Sequence, residues 1–220
     1  MNDPHPGHAG IGAGQPPAPA FGDRDGPPVV VITQQLKNAM KALLYRPWGV
    51  ALGPKSHVLW PRKLLNRSRI RIGAGCHVGA HVVLNPLRST SSPPGRIVLG
   101  DAVYVGGYSQ IHAMDCVELG EGCVLSEHVY IGDVAHGLDP KAGPILSQPN
   151  VSRGPVRLGR HVFVGYGCSI LPGVTLGDHC VVGTRAVVTR SFPAYSMVAG
   201  APARLIKSYN LATGAWERAR

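Results

Sequence analysis

The 220-residue chain is poor in aromatics, with three Trp, seven Tyr and three Phe. So few large rings do not fill an ordinary globular core, whereas 29 glycines suit a backbone that turns often and repeats. No stretch reaches the roughly 18 apolar residues of a membrane-spanning helix. A charged start followed by an apolar run is also missing, so no secretory leader is read and the cytoplasm is the expected compartment. The five cysteines (Cys76, Cys116, Cys123, Cys168, Cys180) form no C-x-x-C pair and no metal-finger spacing. A zinc finger is thereby excluded, no metal is expected, and a reducing compartment disfavours a disulfide framework. Acids are scarcest where bases cluster: Gly26 to Gly100 holds none, against eleven Lys and Arg that carry the net charge of +10. Such a stretch suits nucleic acid, anionic lipid or a phosphorylated ligand. No nucleic-acid motif or regular aromatic interleaving accompanies it, which sets nucleic acid aside.

Residues 1–28 contain thirteen Pro or Gly and little to bury, so a disordered tail is expected. From Thr33, "TQQLKNAMKALLY" places Leu36, Met40, Leu43 and Leu44 on one helical face, with Thr33 as N-cap and Arg46-Pro47 as the stop. Residues 29–67 thus read as an N-terminal helix and a basic linker. Beyond them the chain repeats. Five blocks of eighteen residues align at 68–85, 95–112, 115–132, 154–171 and 172–189. Positions 5, 11 and 17 of each block are Ile, Leu or Val, and position 6 is always Gly. Position 12 is Gly in four blocks and Ser126 in the other.

A six-residue period fits neither an amphipathic helix nor an alternating strand. It fits an all-β solenoid with three short sides per coil, its aliphatics stacked inward and glycines at the corners. The solenoid is expected over 68–190. Cys76, Cys123 and Cys180 share position 9 and Cys168 takes position 15, which makes them core fillers. These glycines follow the hexad period, and no nucleotide-hydrolysing phosphate loop is present.

The rhythm breaks at 86–94, 113–114 and 133–153. The longest break begins "DVAHGLDPKAGP" and carries His136. Inserts in a solenoid sit at corners and gather on the binding face. A histidine there is suited to moving protons near neutral pH.

The hexad pattern, the stretches "ILPGVTLGD" and "VAGAPARLIK", and the "AHG" loop are similar to the hexapeptide-repeat acyltransferases. Over roughly 60–208 the match looks closest to the maltose, galactoside and polysaccharide or lipopolysaccharide O-acetyltransferases. The resemblance implies a left-handed parallel β-helix and, over 191–220, a closing loop and C-terminal helix. It also implies acetyl-CoA as acyl donor, a sugar hydroxyl of a cell-surface polysaccharide or its precursor as acceptor, and a homotrimer with sites between subunits. His136 matches the family's general base. Relatives often read Asp-His-x-His-Gly where this chain has Val134 in place of the first histidine. Asp133, Asp139 and Glu127 are candidates to orient the imidazole. His112 and Gln110 lie near the acceptor contacts of related enzymes. Gly165, Tyr166, Thr184, Arg185 and Ala186 match the coils beside the pantetheine arm, with Tyr166 where relatives have Ala or Ser. Arg190, Arg204 and Lys207 are candidates for the cofactor phosphates.

Three other readings stay open. One is N-acetylation of an amino-sugar nucleotide, another a γ-carbonic-anhydrase-like zinc site using His112, His128 and His136, and the third a non-enzymatic β-helix scaffold. The run "WPRKLLNRSRIR" (60–71) additionally suggests peripheral contact with an anionic membrane at its inner face.

Overall fold

One aliphatic per six residues gives each coil three inward anchors, and the chain winds accordingly. In the computed structural model, which describes residues 49–87 and 94–219, these residues form a left-handed parallel β-helix. Its first face carries Ala51–Leu52, Ile70–Ile72, Arg96–Leu99, Cys116–Leu119, Val156–Leu158 and Thr175–Leu176. The second begins with His57–Val58 and ends in antiparallel Ser196–Gly200, Ala203–Asn210 and Ala215–Arg218. The third carries Lys63–Leu64, Val83–Pro86, Gln110–Ala113, Tyr130–Gly132, Ser169–Ile170 and Val187–Val188. Register stacks like on like: Ile72, Val78 and Leu84 of one coil lie beneath Leu99, Val105 and Ile111 of the next, all buried. All five cysteines are buried thiols, and burial pushes Cys123 up to about 11. Cores of this kind leave the thiol protonated and inert at neutral pH.

The expected tail over 1–28 and the helix from Thr33 lie outside the described residues. The basic linker needs correction. Residues 51–64 form a full coil, in which Leu52, Val58 and Leu64 pair with Ile72, Val78 and Leu84. Its hexad spacing was present, but eight residues separate Leu64 from Ile72, because a 3₁₀ turn at Arg67–Arg69 intervenes.

The glycine columns do not supply the corner torsions expected of them. Left-handed backbone falls two residues after the glycine columns, at positions 8 and 14, and most of those residues carry side chains: His81 (φ 60°), Tyr108 (60°), His128 (58°) and Arg185 (58°) among them. The glycines at positions 6 and 12 are there for want of space. A Cβ on Gly120 would stand 2.5 Å from the Gly159 carbonyl oxygen of the next coil, and one on Gly106 would stand 2.5 Å from Ser126.

The C-terminal helix expected within 191–220 is instead a β-hairpin. Ala203–Asn210 pairs with Ser196–Gly200 and then with Ala215–Arg218. Two features outweigh helix propensity here. The open edge of the second face offers unpaired backbone groups. The turn supplies its own closure, with the Asn210 side chain accepting from Ala212 and Thr213 N–H and Gly214 at φ 66°.

Candidate active site

The long insertion leaves the coil at the corner between third and first faces. Asp133, its first residue, turns inward and is fully buried. Its carboxylate accepts three backbone N–H groups of the preceding coil: Met114 (2.5 Å), Asp115 (2.9 Å) and Cys116 (2.7 Å). A buried carboxylate is tolerated because three oriented donors replace its water. The next residues, Val134–His136, pair antiparallel with Asn150–Ser152, and His136 lies opposite Asn150. The loop beyond is closed by Gln148, whose amide donates to the Asp139 and Gly143 carbonyls and accepts from Asp139 N–H. His136 is thus presented, exposed, on a two-stranded ribbon standing off the solenoid.

None of the three candidate carboxylates orients it within this chain. Asp133 is consumed by the corner, and Asp139 caps its own turn through Lys141 N–H (2.8 Å). Glu127 lies at a different corner, between second and third faces, where its carbonyl accepts from Gly167.

At the root of the ribbon the third face holds a polar cluster. His112 pairs in register with Asn85 on one side and Gly132 on the other. Asn85 Nδ2 lies 3.2 Å from His112 Nδ1, and Gln110 Oε1 lies 3.3 Å from Nε2. An amide nitrogen only donates and an amide oxygen only accepts, so Nδ1 is the acceptor and Nε2 carries the proton. Acceptance at Nδ1 requires a neutral ring, and burial lowers its pKa in the same direction. Tyr130 completes the cluster with its ring 5.8 Å from that of His112. Its phenol folds over Gly132, where a Cβ would stand 2.5 Å from the hydroxyl oxygen. Both nitrogens of His112 are thus engaged within the chain, which fixes the orientation of its ring.

A pH signature follows. The unfolded chain regains a histidine pKa near 6.5, above the folded value. Stability from His112 is therefore complete above about pH 6.5 and is lost as pH falls through the folded pKa. His77, lowered first by burial and then by the nearby His57, contributes with the same sign. The melting temperature is expected to fall below about pH 6.5, and His112→Gln to flatten part of that decline. A variant whose melting curve tracks the wild type at every pH would remove His112 as a source.

The structure brings four of the proposed cofactor residues together at one corner. Gly165, Tyr166, Thr184 and Arg185 meet at the corner between second and third faces. There Arg185 N–H donates to the Tyr166 carbonyl, and a Cβ on Gly165 would lie 2.8 Å from Thr184 N. Tyr166 ends an aromatic ladder along this corner, His81–Tyr108–His128–Tyr166, with centroids 4.8, 5.0 and 5.3 Å apart. Ala186 points into the core, so only its backbone remains. Arg190 stacks over Phe192. Arg204 and Lys207 lie on one strand, Ala203–Asn210, where a bulge between them pairs Arg204 with Ala199 and Lys207 with Met197, on the same side of the hairpin.

The profile described as "Bacterial transferase hexapeptide (six repeats)" matches residues 155–190. A protein of Escherichia coli K12 named for O-acetyl transfer in lipopolysaccharide biosynthesis is 34% identical over 140 residues, covering 60% of this chain and 71% of that one. The chain belongs to the hexapeptide-repeat acyltransferases. A second Escherichia coli protein of this acyltransferase's kind, named for colanic acid biosynthesis, is 30% identical over 77% of this chain and 88% of its own. A Mycobacterium tuberculosis protein named as an acetyltransferase is 33% identical over 68% of this chain; the chain spans 47% of its length, about half. Among solved structures, an N-acyltransferase from Bacillus cereus in complex with dTDP and 3-hydroxybutyryl-CoA shares the fold. The TM-score is 0.66 at 18% identity, over 78% of this chain and 89% of that one.

Sequence reasoning on this acyltransferase missed Asn85 and Tyr130. A signal existed for the first: Asn85, His112 and Gly132 all occupy position 18 of their blocks. Reading that column across the blocks places them side by side at the edge of the insertion.

Proposed function

We propose that this acyltransferase moves an acetyl group from acetyl-CoA to a sugar hydroxyl of a cell-surface polysaccharide or its precursor, with His136 as general base. The observation that carries this reading is the ribbon. It interrupts the solenoid to present an exposed imidazole three residues from a buried anchor and beside a preset polar cluster. The names of the Escherichia coli relatives support a saccharide as acceptor.

In this mechanism neutral His136 removes the hydroxyl proton as the oxygen attacks the thioester carbonyl. The tetrahedral intermediate collapses, the imidazolium returns the proton to sulfur, and coenzyme A leaves as the thiol. The amides of Asn85 and Gln110, held in place by the two nitrogens of His112, supply through their remaining groups the hydrogen bonds that position the acceptor sugar. Gly165, Tyr166, Thr184 and Arg185 flank the pantetheine arm, and Arg190, Arg204 and Lys207 meet the phosphates of coenzyme A. Since His136 finds no orienting carboxylate among the described residues, that group comes from a second copy in a threefold-symmetric assembly; sedimentation as a monomer during turnover would overturn this. Exposed Trp60 and Leu65, flanking Arg62 and Lys63, give the first coil a surface for anionic membrane at the inner face, checked by vesicle flotation at low salt.

The test of the reaction is thiol release from acetyl-CoA against a panel of free sugars, amino sugars and polysaccharide fragments. Acetylation of hydroxyl acceptors is expected. Turnover confined to amines would replace the reading with N-acetylation.

A further inference from the structure

The acid-free stretch of the sequence forms the first coils of the solenoid, and on their first face it leaves three guanidinium groups without partners of opposite charge among the described residues. Arg69 and Arg96 line both of two adjoining cavities, of about 330 and 500 Å³, and Arg71 lines the first. The two ion pairs among the described residues are Glu118–Arg157 and Asp178–Arg160, and neither involves these arginines. Arg69 is held in place by hydrogen bonds to the carbonyls of Pro94 (2.6 Å) and Gly95 (3.3 Å), which use two of its five N–H groups. Arg71 pairs with Val98, two residues beyond Arg96 on the same side of the strand, so the two exposed arginines are diagonal neighbours on adjacent rungs, roughly 7–8 Å apart by sheet geometry. Like charges gathered this closely on a concave surface repel one another and favour an anion between them.

The far wall changes character. Met114, Asp115 and Ser152 line the second cavity, and Ser152 lies opposite Val134 at the base of the ribbon. Val134 is two residues before His136, roughly 7 Å along the strand. One depression therefore joins an arginine-rich floor to a carboxylate and hydroxyl at the foot of the ribbon. Around the same corner sits His112, whose carbonyl accepts from Asp133 N–H.

We propose that this depression is a phosphate or diphosphate subsite, and that the acceptor is an activated sugar carrying that group. The claim rests on the sugar-acetylation reading and narrows it: phosphate oxygens lie on Arg96 and Arg71, with Arg69 beneath, and the sugar extends toward Asp115 and the ribbon. Guanidinium forks match phosphate oxygens bidentately, so two neighbouring forks accommodate two phosphates. Asp115, the one carboxylate in the wall, is placed to accept from sugar hydroxyls.

The test titrates the full chain calorimetrically with inorganic pyrophosphate, UDP and acetyl-CoA, in wild type and in Arg71→Ala/Arg96→Ala. Neither arginine side chain has a hydrogen bond or ion pair among the described residues, so the variant should remain folded, which its melting temperature checks. Pyrophosphate is expected to bind the wild type, more weakly as salt rises, and at least about tenfold more weakly to the variant. Acetyl-CoA affinity is expected to be equal in both. UDP binding more tightly than pyrophosphate supports a nucleotide-linked sugar, and equal binding supports recognition of the diphosphate alone. Unchanged pyrophosphate affinity in the variant overturns the proposal. A parallel loss of acetyl-CoA affinity overturns it as well, by giving the site to the donor's phosphates. Failure of the wild type to acetylate any sugar, with pyrophosphate binding still arginine-dependent, defeats the acetyltransfer reading and leaves the anion site standing.

Discussion

Replacing His136 with alanine is expected to lower kcat for acetyl transfer by about 10²–10⁴-fold while leaving acetyl-CoA affinity unchanged. The size follows from chemistry: without a base, the sugar hydroxyl must attack while still holding its proton or lose it to water. The selectivity follows from placement. His136 is exposed at the end of Val134–His136, pairs through backbone with Asn150, and has no side-chain hydrogen bond among the described residues. Its removal should therefore disturb neither the ribbon nor the core, and the melting temperature should stay within the range of ordinary surface changes, about 0.5 kcal/mol in stability. His136→Asn sharpens the comparison, since it keeps a polar side chain but cannot accept a proton at neutral pH. Near wild-type kcat in either variant would remove His136 as the base.

Asp133 is expected to behave in the opposite way. Its carboxylate accepts from three backbone N–H groups at full burial, so Asp133→Ala strands those donors. Charge-assisted bonds contribute about 1.5–3 kcal/mol each and buried orphans are costly, so a loss of about 3 kcal/mol or more is expected. For a chain of this size that lowers the melting temperature by roughly 6–12 °C. Asp133→Asn should rescue only part of this, because one amide oxygen cannot serve three donors and the NH₂ group would face an N–H. Activity should fall in proportion to lost structure, with the pH profile of kcat unmoved in the protein that remains folded. Were Asp133 instead the group that orients His136, Asp133→Asn would alter that pH profile with little change in melting temperature.

The core columns were plain in the sequence because the inward positions of a β-helix repeat without regard to what lies outside. Ile72, Val78 and Leu84 announce themselves by spacing alone. Leu52, Val58 and Leu64 share that spacing, yet the two extra residues of the 3₁₀ turn broke the alignment and hid a coil. The glycine columns were seen for the wrong reason: neighbouring backbones, not left-handed torsions, exclude their side chains. Near the C-terminus, local composition suggested a helix where an open sheet edge recruited "ARLIKSYN" as a strand. At the site, the break in period exposed His136, but Asp133 looked like its partner because sequence adjacency cannot reveal that a side chain turns inward. Asn85 and Tyr130 belong to rungs forty-five residues apart and become neighbours of His112 only through register.

The account stands on acetyl-CoA as donor, and calorimetric titration of the purified chain with acetyl-CoA tests that with no assumption about the acceptor. Saturable binding at about one molecule per subunit, matched by the His136→Ala variant, is the predicted result. No binding up to millimolar acetyl-CoA would contradict it and return the solenoid to a scaffold.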